Sequence, residues 1–264
     1  MSEMYDNSQH VEATFTESNL SEYLLQSQWA EFVELKKAIA GLYKKKKSSL
    51  RILDIGIGDA RILKHLVGIK EIWGSIEHYD GIDVAQSCIN ISNKVIKDLK
   101  IEKKASVQLL DAVKLKNLKK KYDLIISTWF TAGNFYPTDF DFIKFKPGHD
   151  MSTNDKFTMI FEQAYGMLNL NGEIIIGSMY IDNEGTRTKQ ENSYRHFGWI
   201  ILTDNRDCFT ATKGGWWSQR YTKQRVYDYL PFIPKEEISF IPLDTYDYAM
   251  MVRIKKNPAL LDGP

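Results

Sequence analysis

The chain is poor in the features that mark several whole classes of protein. It has only two cysteines, Cys88 and Cys208, far apart and in no Cys-x-x-Cys spacing, so neither a disulfide framework nor a zinc ribbon can be read from them. A reducing cytoplasm suits such a chain. It has no excess of charge: 35 Lys and Arg stand against 34 Asp and Glu, a formal charge of +1. No bulk cationic field is left to attract a nucleic-acid backbone, which disfavours that partner. Long apolar runs are absent too, and Met1 to His10 is polar and acidic rather than a basic stretch leading into an apolar one. The expectation is a soluble, cytoplasmic protein without a membrane partner. Repeats and low-complexity segments are also missing.

What is present is the composition of a globular enzyme-sized chain. Its 264 residues, 43% hydrophobic and 26% charged, suit one α/β domain with additions. Leu24, Leu25, Trp29, Phe32, Val33, Leu35 and Ile39 recur at helical spacing, so Leu20 to Tyr43 is predicted to form an amphipathic helix or helix pair. Lys44 to Lys47 reads as a solvated, charged helix end. From Leu50 short apolar runs (Arg51 to Ile55, Tyr79 to Ile82, Ser106 to Leu110, Leu124 to Ser127, Glu173 to Ser178) alternate with helical patterns over Ala60 to Val67, Ala85 to Leu99 and Asp155 to Leu168. That alternation predicts a parallel sheet of βαβ units. Glu237 to Pro242 and Tyr246 to Ile254 predict a closing antiparallel hairpin. The expected organisation is a helical cap over 1–47 and a sheet domain over 48–264, with a lid inserted at about 180–221. The aromatic N-terminal helix would either seal a site or serve a homodimer, and periodicity does not choose.

The strongest motif is Leu53-Asp54-Ile55-Gly56-Ile57-Gly58-Asp59-Ala60-Arg61, a strand entering a glycine turn and then a helix. Such glycines let backbone turn tightly and approach a nucleotide-like ligand at the carboxyl edge of a sheet. A dinucleotide fingerprint needs a third glycine where Arg61 stands, and a bulky cation at that close-packed point argues against it. Asp83 ends the second strand, where a carboxylate can accept hydrogen bonds from ribose hydroxyls, and Asp111 ends the third. Each aspartate alone reads equally as a helix cap or turn former. Acids at three successive strand ends are harder to dismiss.

The glycine segment resembles D-x-G-x-G-x-(G/A), motif I of class I S-adenosylmethionine-dependent methyltransferases. Tyr122 to Ser127 matches that family's fourth strand and Leu168 to Ile176 its fifth-strand entry, with Asn171 in place of a glycine. The resemblance covers Leu50 to Ser178 and the terminal hairpin. It implies a Rossmann-like α/β fold with a mostly parallel seven-stranded sheet, and S-adenosylmethionine as cofactor, released as S-adenosylhomocysteine. By the same resemblance the cofactor-binding set is Asp54, Gly56, Gly58, Asp83, Val84, Asp111 (facing the adenine amino group), Ala112 and Ser127.

The methyl acceptor is less legible. Ser127-Thr128-Trp129-Phe130 stands where Asn-Pro-Pro-Tyr would mark amide or exocyclic-amine methylation, and neither cysteine follows a proline, as the covalent cytosine mechanism requires. Thr131 to Tyr136 resembles the Gly-Asn-Phe segment of histidine Nα-methyltransferases, and Trp217 to Thr222 resembles their Ser-x-Lys-Tyr-Thr stretch. Trp216, however, replaces an acid there, and the family's inserted domain is much shortened. The resemblance points to Asn134 as a residue that holds the acceptor, with Trp129, Phe130, Phe135, Tyr194, Trp217 and Arg220 around it; Asn134 also reads as a turn residue and the tryptophans as packing. His196 and His149 are candidate general bases or plain surface histidines. The aromatics could form an amine cage or a stacking wall. Asp182-Asn183 and Asp204-Asn205 lack a third carboxylate for a metal, and turn chemistry explains both, so no metal is expected. The reading is N- or O-methylation of a small molecule. The alternatives are an RNA or protein methyltransferase, since Gly81-Ile82-Asp83-Val84-Ala85 also resembles cap guanine methyltransferases, and a non-catalytic binding protein.

Overall fold

The computed structural model describes residues 20–257; the polar leader before Leu20 lies outside them. The helical periodicity resolves into one helix, α1 (Glu22–Lys46), rather than a pair. Its Phe32, Leu35, Ala38, Ile39 and Leu42 are buried, and it ends where Lys47 turns left-handed at φ 58°. The lysine run is not wholly solvated: Lys46 pairs with the buried Asp123 carboxylate at 2.7 Å and Lys45 reaches Asn171 at 2.7 Å.

The sheet follows as β1 (Leu50–Ile55), β2 (Ile76–Asp83), β3 (Ala105–Leu109), β4 (Tyr122–Ser127) and β5 (Leu168–Ile181), all parallel in the order β3-β2-β1-β4-β5. β8 (Ile238–Pro242) and β9 (Ala249–Lys255) form the predicted antiparallel hairpin, and β9 adds to β5. These are the seven expected strands. Two more, β6 (Phe209–Ala211) and β7 (Trp217–Tyr221), form a short antiparallel ribbon. β5 outruns β4, and at Tyr180 it pairs with Ala249 of β9 on one edge and Arg220 of β7 on the other. The ribbon therefore continues the β4 side of the sheet, above the end of β4.

Between the strands run α2 (Arg61–Val67), α3 (Lys70–Gly74), α4 (Gln86–Asp98), α5 (Asp155–Met167), α6 (Glu184–His196) and α7 (Lys223–Tyr229). Two apolar cores flank the sheet. One joins Leu50 and Ile52 to α1, α2 and Ile96 of α4; the other joins Leu53 and Ile55 to α5, α7 and Leu115. Strand alternation sorts β1 between them. The segment expected as a loose lid is built structure, namely α6, the β6–β7 ribbon and their links. No helix among the described residues is long and apolar enough to cross a membrane.

Candidate functional site

The carboxyl ends of β1, β2, β4 and β5 open into one cavity of about 860 Å³, walled by α1, α6 and the β6–β7 ribbon. Its two ends differ in chemistry. At the first, β1 passes into Gly56 (φ 78°), Gly58 (φ 56°) and Ala60 (φ 58°), a turn built largely in the left-handed region. A Cβ on Gly56 would overlap the Thr131 side chain, whereas one on Gly58 would meet open space apart from the Gly56 carbonyl at 4.0 Å. Gly56 thus serves close packing with the loop after β4, and Gly58 leaves open space where a side chain would stand, at the cavity wall. Asp83 braces the turn: its carboxylate accepts from Gly58 N at 3.0 Å and from Ala85 N at 2.9 Å. The carboxylate retains acceptor capacity beyond these two bonds. Desolvation raises the pKa of this carboxyl, and the backbone donors oppose the shift. Asp111 lines the same end and caps the turn after β3, accepting from Val113 N at 3.2 Å. The cap reading of Asp111 is correct for that oxygen.

The second end is aromatic. Phe130 stacks on Tyr180 with centroids 3.9 Å apart, and Tyr248 stands edge-on to Tyr180 at 5.3 Å. Tyr194, Trp199 and Trp216 form a second group, with centroids 5.2 and 5.4 Å apart along the chain of contacts. The Tyr194 hydroxyl accepts from Gln190 Nε2 at 3.3 Å, and burial pushes the pKa values of Tyr180, Tyr194 and Tyr248 up, so these phenols stay protonated. Asn134 ends the turn after β4 and lines this compartment; its buried side-chain oxygen has no partner among the described residues. A buried acceptor without a donor calls for an explanation, and at a cavity wall a ligand donor is one.

No protein-family model and no curated protein sequence matches the chain. Among solved structures it is similar to an S-adenosylmethionine-dependent methyltransferase from Clostridium acetobutylicum ATCC 824, with TM-score 0.56 and 11% identity over 96% of this chain and 99% of that one. A magnesium protoporphyrin IX methyltransferase from Synechocystis PCC 6803 with bound S-adenosylhomocysteine gives TM-score 0.52 and 10% identity over 93% and 92% of the two chains. The 1,6-didemethyltoxoflavin-N1-methyltransferase of Burkholderia thailandensis, with its substrate and S-adenosylhomocysteine bound, gives 0.51 and 10% over 90% and 92%. The chain has the class I methyltransferase fold. At these identities the likeness is one of fold.

Within this methyltransferase fold, Gly56, Gly58, Asp83, Val84, Asp111 and Ala112 line the first end, and Trp129, Phe130, Asn134, Phe135, Tyr194, His196 and Trp217 line the rest of the same cavity. Three expected residues do not line it. Asp54 shares the α1 face of β1 with Ile52, is 2% exposed, and takes the Tyr79 hydroxyl at 2.6 Å. Burial raises its pKa to about 7, against the opposing Tyr79 bond. Ser127 shares the opposite face of β4 with Ile125 and is wholly buried. Arg220 is also wholly buried; its guanidinium donates to Gln190 at 2.6 Å, Thr210 at 2.8 Å, and the carbonyls of Asp207 and Phe209 at 2.6 and 3.1 Å. It ties α6 to the ribbon and is closed to a substrate. His149 lies in a separate surface depression beside Asp207 and Cys208. Asn183 caps α6 by accepting from Thr186 N at 2.7 Å, Asp182 pairs with Arg225 at 2.9 Å, and Asp204 pairs with Arg206 at 2.8 Å.

Several residues escaped the sequence reading. Glu31 on α1 is wholly buried; it accepts from Trp129 N at 3.1 Å and from the Ser178 hydroxyl at 2.7 Å. Trp129 (φ 52°), Phe130 (φ 62°) and Ser178 (φ 48°) are all left-handed, a strained floor that Glu31 holds in place. Arg61 stacks over Trp129 at 4.3 Å and offsets the desolvation that raises the Glu31 pKa. Glu31 was visible in principle, since it lies on the same stripe as Leu35 and Ile39. Tyr180, Tyr248, Trp199, Lys156 and Lys189 also line the cavity, from β5, the residue before β9, the link after α6, α5 and α6 respectively.

Proposed function

We propose that this chain is an S-adenosylmethionine-dependent methyltransferase that transfers a methyl group to nitrogen or oxygen of a small molecule. The observation that carries this reading is the continuity of one cavity from the carboxylate-braced glycine turn to an aromatic compartment lined by Asn134, whose oxygen is unpartnered. The open space over Gly58 and the spare lone pairs of Asp83 fit a nucleoside cofactor, and Arg61 at the start of α2 disfavours a dinucleotide. The S-adenosylhomocysteine bound in two of the similar structures agrees.

In this reading the open space at Gly58 lets the backbone approach the cofactor while Gly56 packs the turn against Thr131, Asp83 holds the ribose hydroxyls, and Val84, Asp111 and Ala112 flank the adenine. Bound S-adenosylmethionine supplies an electrophilic methyl group on a sulfonium, so the protein's task is mainly to orient the acceptor and exclude water. Trp129, Phe130, Phe135, Tyr194 and Trp217 confine the acceptor. Asn134 accepts from its N–H or O–H and fixes the lone pair in position; an amide does not take up the proton. His196, the imidazole on the cavity wall, receives that proton where the acceptor must lose one.

The test is to incubate the protein with methyl-labelled S-adenosylmethionine and, separately, small amines and phenols, RNA, and unfolded protein. Label in a small acceptor is the expected result. Label confined to RNA or protein would transfer the assignment to those substrates, and cofactor binding without transfer to anything would favour a non-catalytic binding protein.

A further inference from the structure

The charges on the cavity wall are segregated. The acids that line it are Asp59, Asp83 and Asp111, all at the glycine-turn end, and each is engaged: Asp59 with Lys64 at 3.1 Å, the other two with backbone N–H groups. Among the described residues no acid lines the aromatic end. Two ammonium groups do, those of Lys156 and Lys189. Lys189 is held by rings alone, its Nζ 5.1 Å from the centroid of Tyr246, 5.6 Å from Tyr23 and 6.0 Å from Tyr248. Lys156 lies over Tyr136 at 4.9 Å. Among the described residues no carboxylate comes within 4.0 Å of either nitrogen. Glu22, which touches the Tyr246 hydroxyl, is exposed and accepts from Gln26.

We infer that the acceptor compartment takes a planar aromatic acid whose carboxylate pairs with Lys189; this rests on reading the cavity as the acceptor site. A cationic acceptor would enter a compartment that already holds two ammonium groups and no counter-charge, so the aromatic walls do not make an amine cage. A neutral acceptor would leave the half-buried Lys189 ammonium with ring contacts and solvent. An anion supplies the missing partner through charge-assisted hydrogen bonds. Planarity follows from the walls: the stacked Phe130–Tyr180 pair and the Tyr194, Trp199 and Trp216 group present ring faces and edges to whatever lies between them.

The experiment uses benzoate and 2-naphthoate, their neutral amides, and the corresponding arylmethylamines, with affinities measured by calorimetry and ligand-observed NMR on the wild type, Lys189→Gln and Lys189→Arg. The acids are expected to bind at least about tenfold more tightly than the amides, and the amines most weakly. Lys189→Gln should erase the advantage of the acids and leave amide affinity unchanged, while Lys189→Arg should keep the advantage. Amides or amines binding as tightly as the acids, no binding of any acid at millimolar concentration, or an equal loss for acid and amide in Lys189→Gln would each overturn the inference. S-adenosylhomocysteine is titrated into the same samples. Acid selectivity without affinity for that nucleoside would overturn the methyltransferase reading and leave the ligand class standing.

Discussion

Glu31 fills the space that a side chain at Gly177 would need: a Cβ at that position would overlap the carboxylate oxygen that holds Trp129 N and Ser178. A glycine inside the buried stretch of β5 is thereby accounted for, because the α1 carboxylate must approach the β5 backbone closely. Gly177→Ala is expected to cost about 1–3 kcal/mol by overpacking. In a Glu31→Ala background most of that penalty should vanish, so a double-mutant cycle read by denaturant unfolding should show strong coupling. Equal penalties in both backgrounds would refute the packing relationship.

Asp54 sets a pH dependence. Its pKa rises on folding from 3.8 to about 7, chiefly through burial, so the native state holds a proton that the unfolded state releases. Stability should therefore fall as pH rises from about 4 to about 7 and level off above, by at most about 4 kcal/mol from this group. Asp54→Asn keeps a partner for Tyr79 and removes the buried charge. The difference in unfolding free energy between variant and wild type should grow in the variant's favour across that window. Parallel curves would contradict the assignment. The pKa of Glu31 is raised with the same sign, so Glu31→Gln should flatten part of the remaining slope.

The two turn glycines should respond differently. Gly58→Ala meets open space and pays mainly for its left-handed backbone, about 1 kcal/mol. Gly56→Ala carries the same conformational cost and must also displace Thr131, so its loss of melting temperature should be clearly larger. Equal losses would mean that the Thr131 contact is not what requires Gly56.

Arg220 is predicted to be a structural residue of the α6–ribbon wall. Arg220→Met removes the guanidinium donors to the Asp207 and Phe209 carbonyls, leaves Gln190 Oε1 with the Thr210 hydroxyl at 3.2 Å, and should destabilise by roughly 3–5 kcal/mol. Arg220→Lys should also fail, because one ammonium cannot reproduce the forked set of bonds. Chemical denaturation of both variants checks this, and a Lys variant of wild-type stability would overturn it.

Much of the sheet was legible because buried parallel strands read as short apolar runs, and β1 to β5 with the β8–β9 hairpin fell close to their predicted places. The glycine turn and Asp83 could be located for the same reason: they sit at strand ends that periodicity marks. The acceptor end was not legible. Its wall combines Tyr180 from β5, Lys189 and Tyr194 from α6, and Trp217 from β7, and only the pairing of β7 beyond the end of β4 brings them together. Direction within a strand also mattered. Asp54 stands beside the turn in sequence but points into the α1 core, and Arg220 reads as a free cation until its buried partners are seen.

The most direct test of the central claim is calorimetric titration of S-adenosylhomocysteine into the folded wild-type protein and Asp83→Ala. The account predicts one site per chain in the wild type and an affinity about 10- to 100-fold weaker in the variant, the effect of losing hydrogen bonds to a charged acceptor. No binding by a well-folded wild type, or equal binding by both proteins, would contradict it.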